Sequence, residues 1–133
     1  MEKYSKLISL ALMARENAYA PYSGFRVGAC LVTDEGQAYL GCNVENSSFS
    51  HTICAERNAI FKAVSEGHKK FSAIAIVGGK GERLELTYPC GACRQVLSEF
   101  VDDDFKVILY DGENIEVKDF SAVFPSSFKL KMD

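Results

Sequence analysis

The sequence has no cluster of lysine and arginine, no apolar run long enough to cross a bilayer, and no internal repeat or low-complexity segment. Lysine and arginine number 15 and aspartate and glutamate 18, which gives a net charge of −3. A protein that follows a phosphate backbone usually carries a basic face, so this balance argues against nucleic acid as a partner. Because neither a membrane span nor a signal peptide is predicted, we expect a cytoplasmic protein that acts on a small molecule.

Cysteine is present in five copies, an odd number that argues against a complete disulfide framework. Cytoplasmic thiols stay reduced, so the cysteines are interpreted first as metal ligands, catalytic groups or core residues. Cys30 lies in an apolar segment and is expected in the core. Cys42 precedes a polar loop and is less easily dismissed as a ligand. The two histidines, His51 and His68, are expected at the surface.

Hydrophobic periodicity predicts a single domain over residues 1–133, built from three helices and five strands. The predicted helices span 4–18, 52–66 and 91–101, and the predicted strands span 25–32, 37–42, 73–77, 107–110 and 115–117. The glycine-rich segment 78–81 is predicted to be a loop. Asp111-Gly112 predicts a two-residue turn, which makes the last strand antiparallel to its neighbour. The expected fold class is therefore α/β, a three-layer α/β/α architecture around a five-stranded mixed sheet.

Two short motifs carry the chemistry, and each lies at the predicted start of a helix. They are Cys54-Ala55-Glu56 and Pro89-Cys90-Gly91-Ala92-Cys93. The partial positive charge and free N–H groups of a helix N-terminus favour thiolate, the form of cysteine that binds metal. Cys90 and Cys93 share one helical turn, and Cys54 can supply a third ligand from the neighbouring helix. Soft thiolates select zinc, and three protein ligands leave a fourth position for water, as in catalytic zinc sites.

Two charged residues follow the first cysteine of this set. Glu56 is too close in register to Cys54 to be an equally good ligand and is predicted to lie beside the water, where it can carry protons to the substrate. Three thiolates leave a zinc ion with a net negative charge. We predict that Arg57 withdraws part of that charge by donating to a ligand sulfur.

Segments spread over nearly the whole chain resemble the cytidine deaminases, in particular the small form whose zinc ligands are all cysteine. They are AYAPYSGFRVGA (18–29), GCNVENSSF (41–49), TICAERNAIFKAVSEG (52–67), PCGACRQVLSEF (89–100) and FPSSF (124–128). The resemblance implies hydrolytic deamination of cytidine and deoxycytidine to uridine and deoxyuridine, in pyrimidine salvage. It also implies one Zn²⁺ per chain on Cys54, Cys90 and Cys93, with hydroxide on the metal attacking C4 and Glu56 as proton shuttle.

The resemblance extends to the substrate contacts. Asn43 and Glu45 match the residues that hold the ribose hydroxyl, and Phe25 matches an aromatic residue that flanks the pyrimidine. The backbone N–H groups of Ala55 and Cys90 would contact the base and the oxygen under attack.

Phe128 matches an aromatic residue that stacks on the base in a neighbouring subunit. The resemblance therefore implies a homotetramer whose sites are shared across subunits. Two positions depart from the family pattern: Tyr88 stands where Ser or Thr is usual, and Phe49 where Tyr is frequent.

Three other functions stay open. A deaminase of polynucleotides would share the two motifs, but the acidic charge and the predicted antiparallel last strand oppose it, since the nucleic-acid editors resemble a parallel arrangement. A deaminase of another aminopyrimidine, such as a nucleoside antibiotic, is opposed only by the resemblance of residues 43–46. A structural zinc module closed by Cys30 or Cys42 would bind a protein partner and turn over no nucleoside.

Overall fold

The computed structural model describes residues 2–130 and shows a mixed sheet with helices on both faces. Within that range the α-helices are α1 (Glu2–Arg15), α2 (Ala55–Ser65), α3 (Gly91–Ser98) and α4 (Phe120–Val123). The strands are β1 (Phe25–Thr33), β2 (Ala38–Cys42), β3 (Phe71–Lys80), β4 (Arg83–Glu85), β5 (Lys106–Tyr110) and β6 (Ile115–Asp119). No helix of the described range is long and apolar enough to span a membrane.

The order of strands in the sheet is β2-β1-β3-β5-β6, with β4 paired to the end of β3. β1 runs antiparallel to both of its neighbours, whereas β3 and β5 are parallel. A parallel pair needs a long crossover, and α3 lies in the connection between these two strands. β6 is antiparallel to β5. The predicted three-layer architecture and the antiparallel last strand are confirmed.

Side-chain alternation along β1 separates two apolar clusters. Val27, Ala29 and Leu31 face the cluster that includes residues of α2 and α3. Cys30 faces the opposite cluster, which includes Ile8 of α1, and is fully buried in the core as predicted. The helices therefore cover the sheet on both sides, with α1 on one face and α2 and α3 on the other.

Glycines allow the closest contacts between helices and sheet. A Cβ atom added at Gly28 would lie 2.0 Å from the carbonyl oxygen of Ala11 in α1. One added at Gly41 would lie 2.4 Å from the carbonyl oxygen of Ala55 in α2. Only glycine permits a helix backbone to approach a strand this closely. The second contact positions the functional site, because α2 begins with the first cysteine motif.

The sheet has six strands where five were predicted. Segment 78–81, predicted to be a loop, instead completes β3 as far as Lys80 and turns at Gly81 into β4. Glycine is uncommon in strands, but here the missing side chain makes room for the partner strand: a Cβ atom at Gly79 would lie 1.9 Å from the carbonyl oxygen of Arg83.

Several predicted boundaries are wrong, and α4 was not predicted. The helix predicted over 52–66 begins only at Ala55, with Cys54 as its N-cap. β5 and β6 are joined by residues 111–114 rather than by two residues, because the Asp111 carboxylate accepts bonds from the amides of Glu113 and Asn114, at 2.9 and 2.7 Å. Both α1 and α3 end before the predicted residue. After α1 the amide of Ala18 bonds to a carbonyl three residues back, and after α3 residues 99–100 form a turn, with the amides of Phe100 and Val101 both bonding to the carbonyl of Leu97.

Candidate active site

α2 and α3 both begin after a cysteine whose side chain makes no capping bond. Cys54 and Cys90 occupy the two N-cap positions with extended backbone angles. Their thiols are directed to the space between the helix starts, where they meet Cys93 from the first turn of α3. The local chain path thus brings the two sequence motifs into one site.

The three sulfur atoms have the spacing of zinc ligands. Sγ of Cys54 lies 3.7 Å from Sγ of Cys90, which lies 3.6 Å from Sγ of Cys93. Zinc–sulfur bonds of about 2.3 Å at tetrahedral angles place two sulfurs about 3.8 Å apart. The cluster can therefore hold zinc and leave a fourth position for water. In the part of the chain that the structure describes, neither Cys30 nor Cys42 belongs to this group.

The histidines lie outside the cluster as well. His51 is exposed in a short 3₁₀ turn, Phe49–His51. His68, expected at the surface, is half-buried, with its ring centroid 5.4 Å from that of Tyr39. The metal-binding group among residues 2–130 consists of thiols alone.

Arg57 supports the sulfur cluster electrostatically. Its Nη2 lies 3.3 Å from Sγ of Cys54. Hydrogen bonding from Cys93 and then from Arg57 lowers the pKa of Cys54 to about 5, against the opposing effect of burial. The bond with Cys54 and burial raise the pKa of Cys93. Cys54 therefore ionises before Cys93, and zinc binding would release the thiol protons that remain.

Glu56 lies in the first turn of α2 and is only 4% exposed. Burial raises the pKa of this carboxyl group to about 7, and the negative charge of Cys54 adds to the rise, while Arg57 opposes it. A carboxyl group that exchanges its proton near neutral pH suits general acid–base catalysis. Because Glu56 lies beside the sulfur atoms, it can exchange this proton with a molecule that reacts at the metal site.

Asn43 follows β2 and is almost fully buried against the start of β1. Its Oδ1 accepts a bond from the amide of Val27 at 2.8 Å, and its Nδ2 donates to the carbonyl of Phe25 at 2.9 Å. An amide nitrogen carries two protons, so one Nδ2 proton remains for a ligand. The ring of Phe25 is half-buried beside Gly78, where an added Cβ atom would lie 3.1 Å from Cε1.

Glu45 holds the turn that precedes β1. Its carboxylate accepts bonds from the amides of Tyr22 and Ser23, at 3.0 and 3.1 Å, and from the Ser23 hydroxyl. These bonds, led by that of the hydroxyl, lower the pKa of Glu45. The side chain therefore stays ionised and fixed in orientation.

The remaining residues predicted for the substrate, Ala55 and Phe128, have different surroundings. Ala55 is fully buried at the first position of α2, where a backbone N–H has no partner within the helix. Phe128 is 65% exposed, and its carbonyl oxygen accepts a bond from Nε2 of Gln95 at 2.9 Å. The Phe128 ring is thus presented outward, beside α3.

Sequence reasoning missed three side chains that position these elements. Ser23 bonds to Glu45 across 22 residues, and Asn58 donates to the carbonyl of Cys42 across 16 residues, at 2.8 Å. Arg94 donates to the carbonyl of Pro89 at 2.7 Å. No local pattern marks these residues, because Ser23 and Asn58 bond to groups that only the fold brings near, and Arg94 also bonds to the carbonyl of Val123, 29 residues away.

Comparison with known proteins agrees with this geometry. The family model described as the cytidine and deoxycytidylate deaminase zinc-binding region matches residues 1–109. The cytidine deaminase of Sporosarcina psychrophila is 46% identical over 124 residues, covering 92% of this chain and 89% of that protein. The cytidine deaminase of Halalkalibacterium halodurans is 45% identical over 123 residues, covering 92% and 91%. A crystal structure of cytidine deaminase from Burkholderia pseudomallei superposes with a TM-score of 0.85 at 43% identity, covering 93% of this chain and 98% of that one.

A three-layer fold with thiols gathered from two helix starts defines a zinc-dependent deaminase architecture. This chain belongs to the cytidine and deoxycytidylate deaminase family.

Proposed function

We propose that this protein is a zinc-dependent hydrolase that converts cytidine and deoxycytidine to uridine and deoxyuridine, a reaction of pyrimidine salvage. The observation that carries the proposal is a buried carboxyl group, Glu56, beside three sulfur atoms spaced for zinc. The relatives named above are cytidine deaminases that this chain matches over most of their length, which supports the same chemistry here.

Glu56 carries the protons of the reaction. Zinc held by Cys54, Cys90 and Cys93 would lower the pKa of a bound water molecule to near neutral. Glu56 accepts a proton from that water and donates it to N3 of the pyrimidine as the water oxygen bonds to C4. It then takes the remaining proton from the new C4 hydroxyl and gives it to the amine, so that the C4–N bond breaks, ammonia leaves and the C4 carbonyl forms. A pKa of about 7 allows the same group to act as base and then as acid. Water is consumed and ammonia released, so no further reactant is required.

The other side chains bind and orient the substrate. The amides of Ala55 and Cys90 lie at helix N-termini, where backbone N–H groups favour a base carbonyl or a developing oxyanion. The free Nδ2 proton of Asn43 and the carboxylate of Glu45 contact the ribose hydroxyl. Phe25 flanks the pyrimidine ring.

Arg57 keeps the metal site active by drawing negative charge from Cys54, to which it donates a hydrogen bond. This contact makes the cluster of thiolates less negative. A less negative cluster should acidify the water more effectively.

We further propose that the active unit is a homotetramer in the cytoplasm. The outward Phe128 ring, 65% exposed, and Phe49, 75% exposed, support an interface in which one subunit completes the site of another. The location is supported by the chemistry of the cluster, since three metal-binding thiols require a reducing compartment.

Ultraviolet absorbance of the purified protein mixed with cytidine tests the function. A zinc-dependent loss of the cytosine band, abolished by a chelator, is expected. Glu56→Gln should lower kcat by about 10²- to 10⁴-fold while zinc is retained. Glu82→Gln, an exposed glutamate in the turn before β4, is the matched control and should act as wild type.

Rival substrates enter the same assay. Deoxycytidine should react, and RNA should not. A protein with one zinc per chain that leaves cytidine unchanged would contradict the proposal and point to another aminopyrimidine, or to a structural zinc module if no nucleoside reacts.

A further inference from the structure

Arg94 joins three backbone carbonyls around the second cysteine motif. Its Nε donates to the carbonyl of Pro89 at 2.7 Å, and its Nη1 donates to the carbonyl of Val123, at the end of α4, at 2.6 Å. Its own amide donates to the carbonyl of Cys90 at 2.9 Å. Both acceptors of the Arg94 side chain are neutral backbone carbonyls, and no carboxylate among residues 2–130 forms an ion pair with Arg94. The positive charge is therefore directed at the peptide groups themselves.

The Pro89–Cys90 peptide connects Arg94 to the site. Pro89 is fully buried, so its carbonyl oxygen requires a partner, which is Arg94. No cis peptide bond occurs in the described chain, and in a planar trans peptide the carbonyl and N–H groups point in opposite directions. Holding the Pro89 carbonyl on one side therefore directs the Cys90 N–H to the other.

The Cys90 N–H is available to a ligand. Cys90 is the N-cap of α3, outside the hydrogen-bonding pattern of the helix, and no acceptor within the described residues pairs with its N–H. Its sulfur belongs to the zinc cluster, so this N–H lies beside the position where the substrate reacts.

We propose that Arg94 is a positioning residue for deamination: it orients the Pro89–Cys90 peptide and polarises its N–H toward the oxygen that adds to the pyrimidine. A cation at the carbonyl end of a peptide enlarges its dipole and makes the N–H a stronger donor. Negative charge develops on this oxygen when the C4 hydroxyl of the adduct loses its proton and the amine leaves, so the donor assists that transition state more than it stabilises the bound substrate. This inference rests on the proposed function.

The test separates polarisation from simple support of the fold. Arg94→Lys keeps the charge but cannot bond to both carbonyls in the same fork, and Arg94→Met removes the charge. Tyr110→Phe is the control, because Tyr110 also donates to a backbone carbonyl, that of Gly112 at 2.8 Å, but in the connection between β5 and β6. Each zinc-loaded protein is assayed for metal content, unfolding midpoint, kcat and KM on cytidine, and binding of uridine and of a nucleoside with a saturated, hydroxylated C4.

We expect Arg94→Met to retain zinc and to lose about 10- to 100-fold in kcat, with a change in KM below about threefold. Affinity for the C4-hydroxylated nucleoside, which resembles the tetrahedral adduct, should fall with kcat, while affinity for uridine stays constant. Arg94→Lys should recover part of the loss. Tyr110→Phe should match wild type in kcat.

Other results would overturn the inference. Full activity in both Arg94 variants would show that the peptide needs no such support. Loss of zinc in both, or equal loss of affinity for uridine and for the adduct analogue, would assign Arg94 to structure alone. If Arg94→Met does not fold, Arg94→Lys decides by the same criteria. Wild-type protein that leaves cytidine unchanged would remove the proposed function itself, and this inference with it.

Discussion

The contact between β2 and α2 sets the position of half the zinc site. A Cβ atom at Gly41 would lie 2.4 Å from the carbonyl oxygen of Ala55 and 2.6 Å from the amide nitrogen of Ala59. Ordinary contact begins near 3.4 Å, so Gly41→Ala requires α2 to move by about 1 Å. Because Ala55 lies between Cys54 and Glu56, that displacement acts directly on a ligand and on the proposed proton carrier.

Both stability and turnover should respond to Gly41→Ala. We expect the free energy of unfolding to fall by about 1–3 kcal/mol, the usual cost of overpacking. For a chain of this length the unfolding midpoint should fall by roughly 3–12 °C. A misplacement of about 1 Å can cost about 10²-fold in rate, so kcat on cytidine should fall by about that factor. Thermal unfolding by circular dichroism and absorbance turnover, the latter at a temperature where the variant is folded, measure the two effects.

A second glycine provides the control. Gly28→Ala meets the carbonyl oxygen of Ala11 at 2.0 Å, but on the opposite face of the sheet. It should destabilise at least as much and leave kcat per folded molecule near wild type. Gly91→Ala meets no atom within 4 Å and should fold normally. Equal loss of kcat in Gly28→Ala, or unchanged kcat in Gly41→Ala, would refute the assignment of a positioning role to the β2–α2 contact.

Three further predictions concern single side chains. Arg57→Ala should lower kcat more than zinc content, measured on one preparation, because Nη2 lies 3.3 Å from Sγ of Cys54 without being a ligand; equal losses would argue against this. Cys30→Ala should keep its zinc and lose about 1–2 kcal/mol of unfolding free energy, since the side chain is fully buried outside the cluster; metal analysis and denaturant unfolding check this. Glu45→Gln should raise KM for cytidine. Bonding from Ser23 lowers the pKa of Glu45, so the stability that Glu45 contributes is present above its unfolded pKa of about 4.3 and is lost as pH falls through the lower folded value. Unfolding measured against pH should therefore show a smaller loss of stability at acid pH in the variant than in wild type.

The cysteine cluster could be predicted because its geometry is mostly local. Cys90 and Cys93 are three residues apart at a helix start, and helical periodicity alone places them on one side. Cys54 required one further step, that the two helices begin near each other. The same periodicity predicted α2 and the central strands, whose apolar residues are buried as their pattern indicated.

The missed features depend on partners that are distant in sequence. The glycine-rich composition around Gly79 favours a loop. In the structure Gly79 instead belongs to a strand, because Arg83 and its neighbours in β4 occupy the space that a side chain would fill. Arg94 reaches Val123 across 29 residues. An arginine that bonds to backbone carbonyls has no required residue type at the other end, so no pattern in the sequence reveals its partner.

The helix starts themselves show how folding and metal binding are linked. An N-cap residue usually stabilises its helix by about 1 kcal/mol through a side-chain bond to the backbone, and Ser, Thr, Asp and Asn do this best. Cys54 and Cys90 occupy these positions and make no such bond, so both helices begin without that stabilisation. Zinc would bind the folded arrangement of sulfurs more tightly than the unfolded chain, so its binding energy would offset the missing caps. The site is therefore formed at two helix starts that lack a side-chain cap, and zinc would stabilise the protein and supply its chemistry through the same thiols.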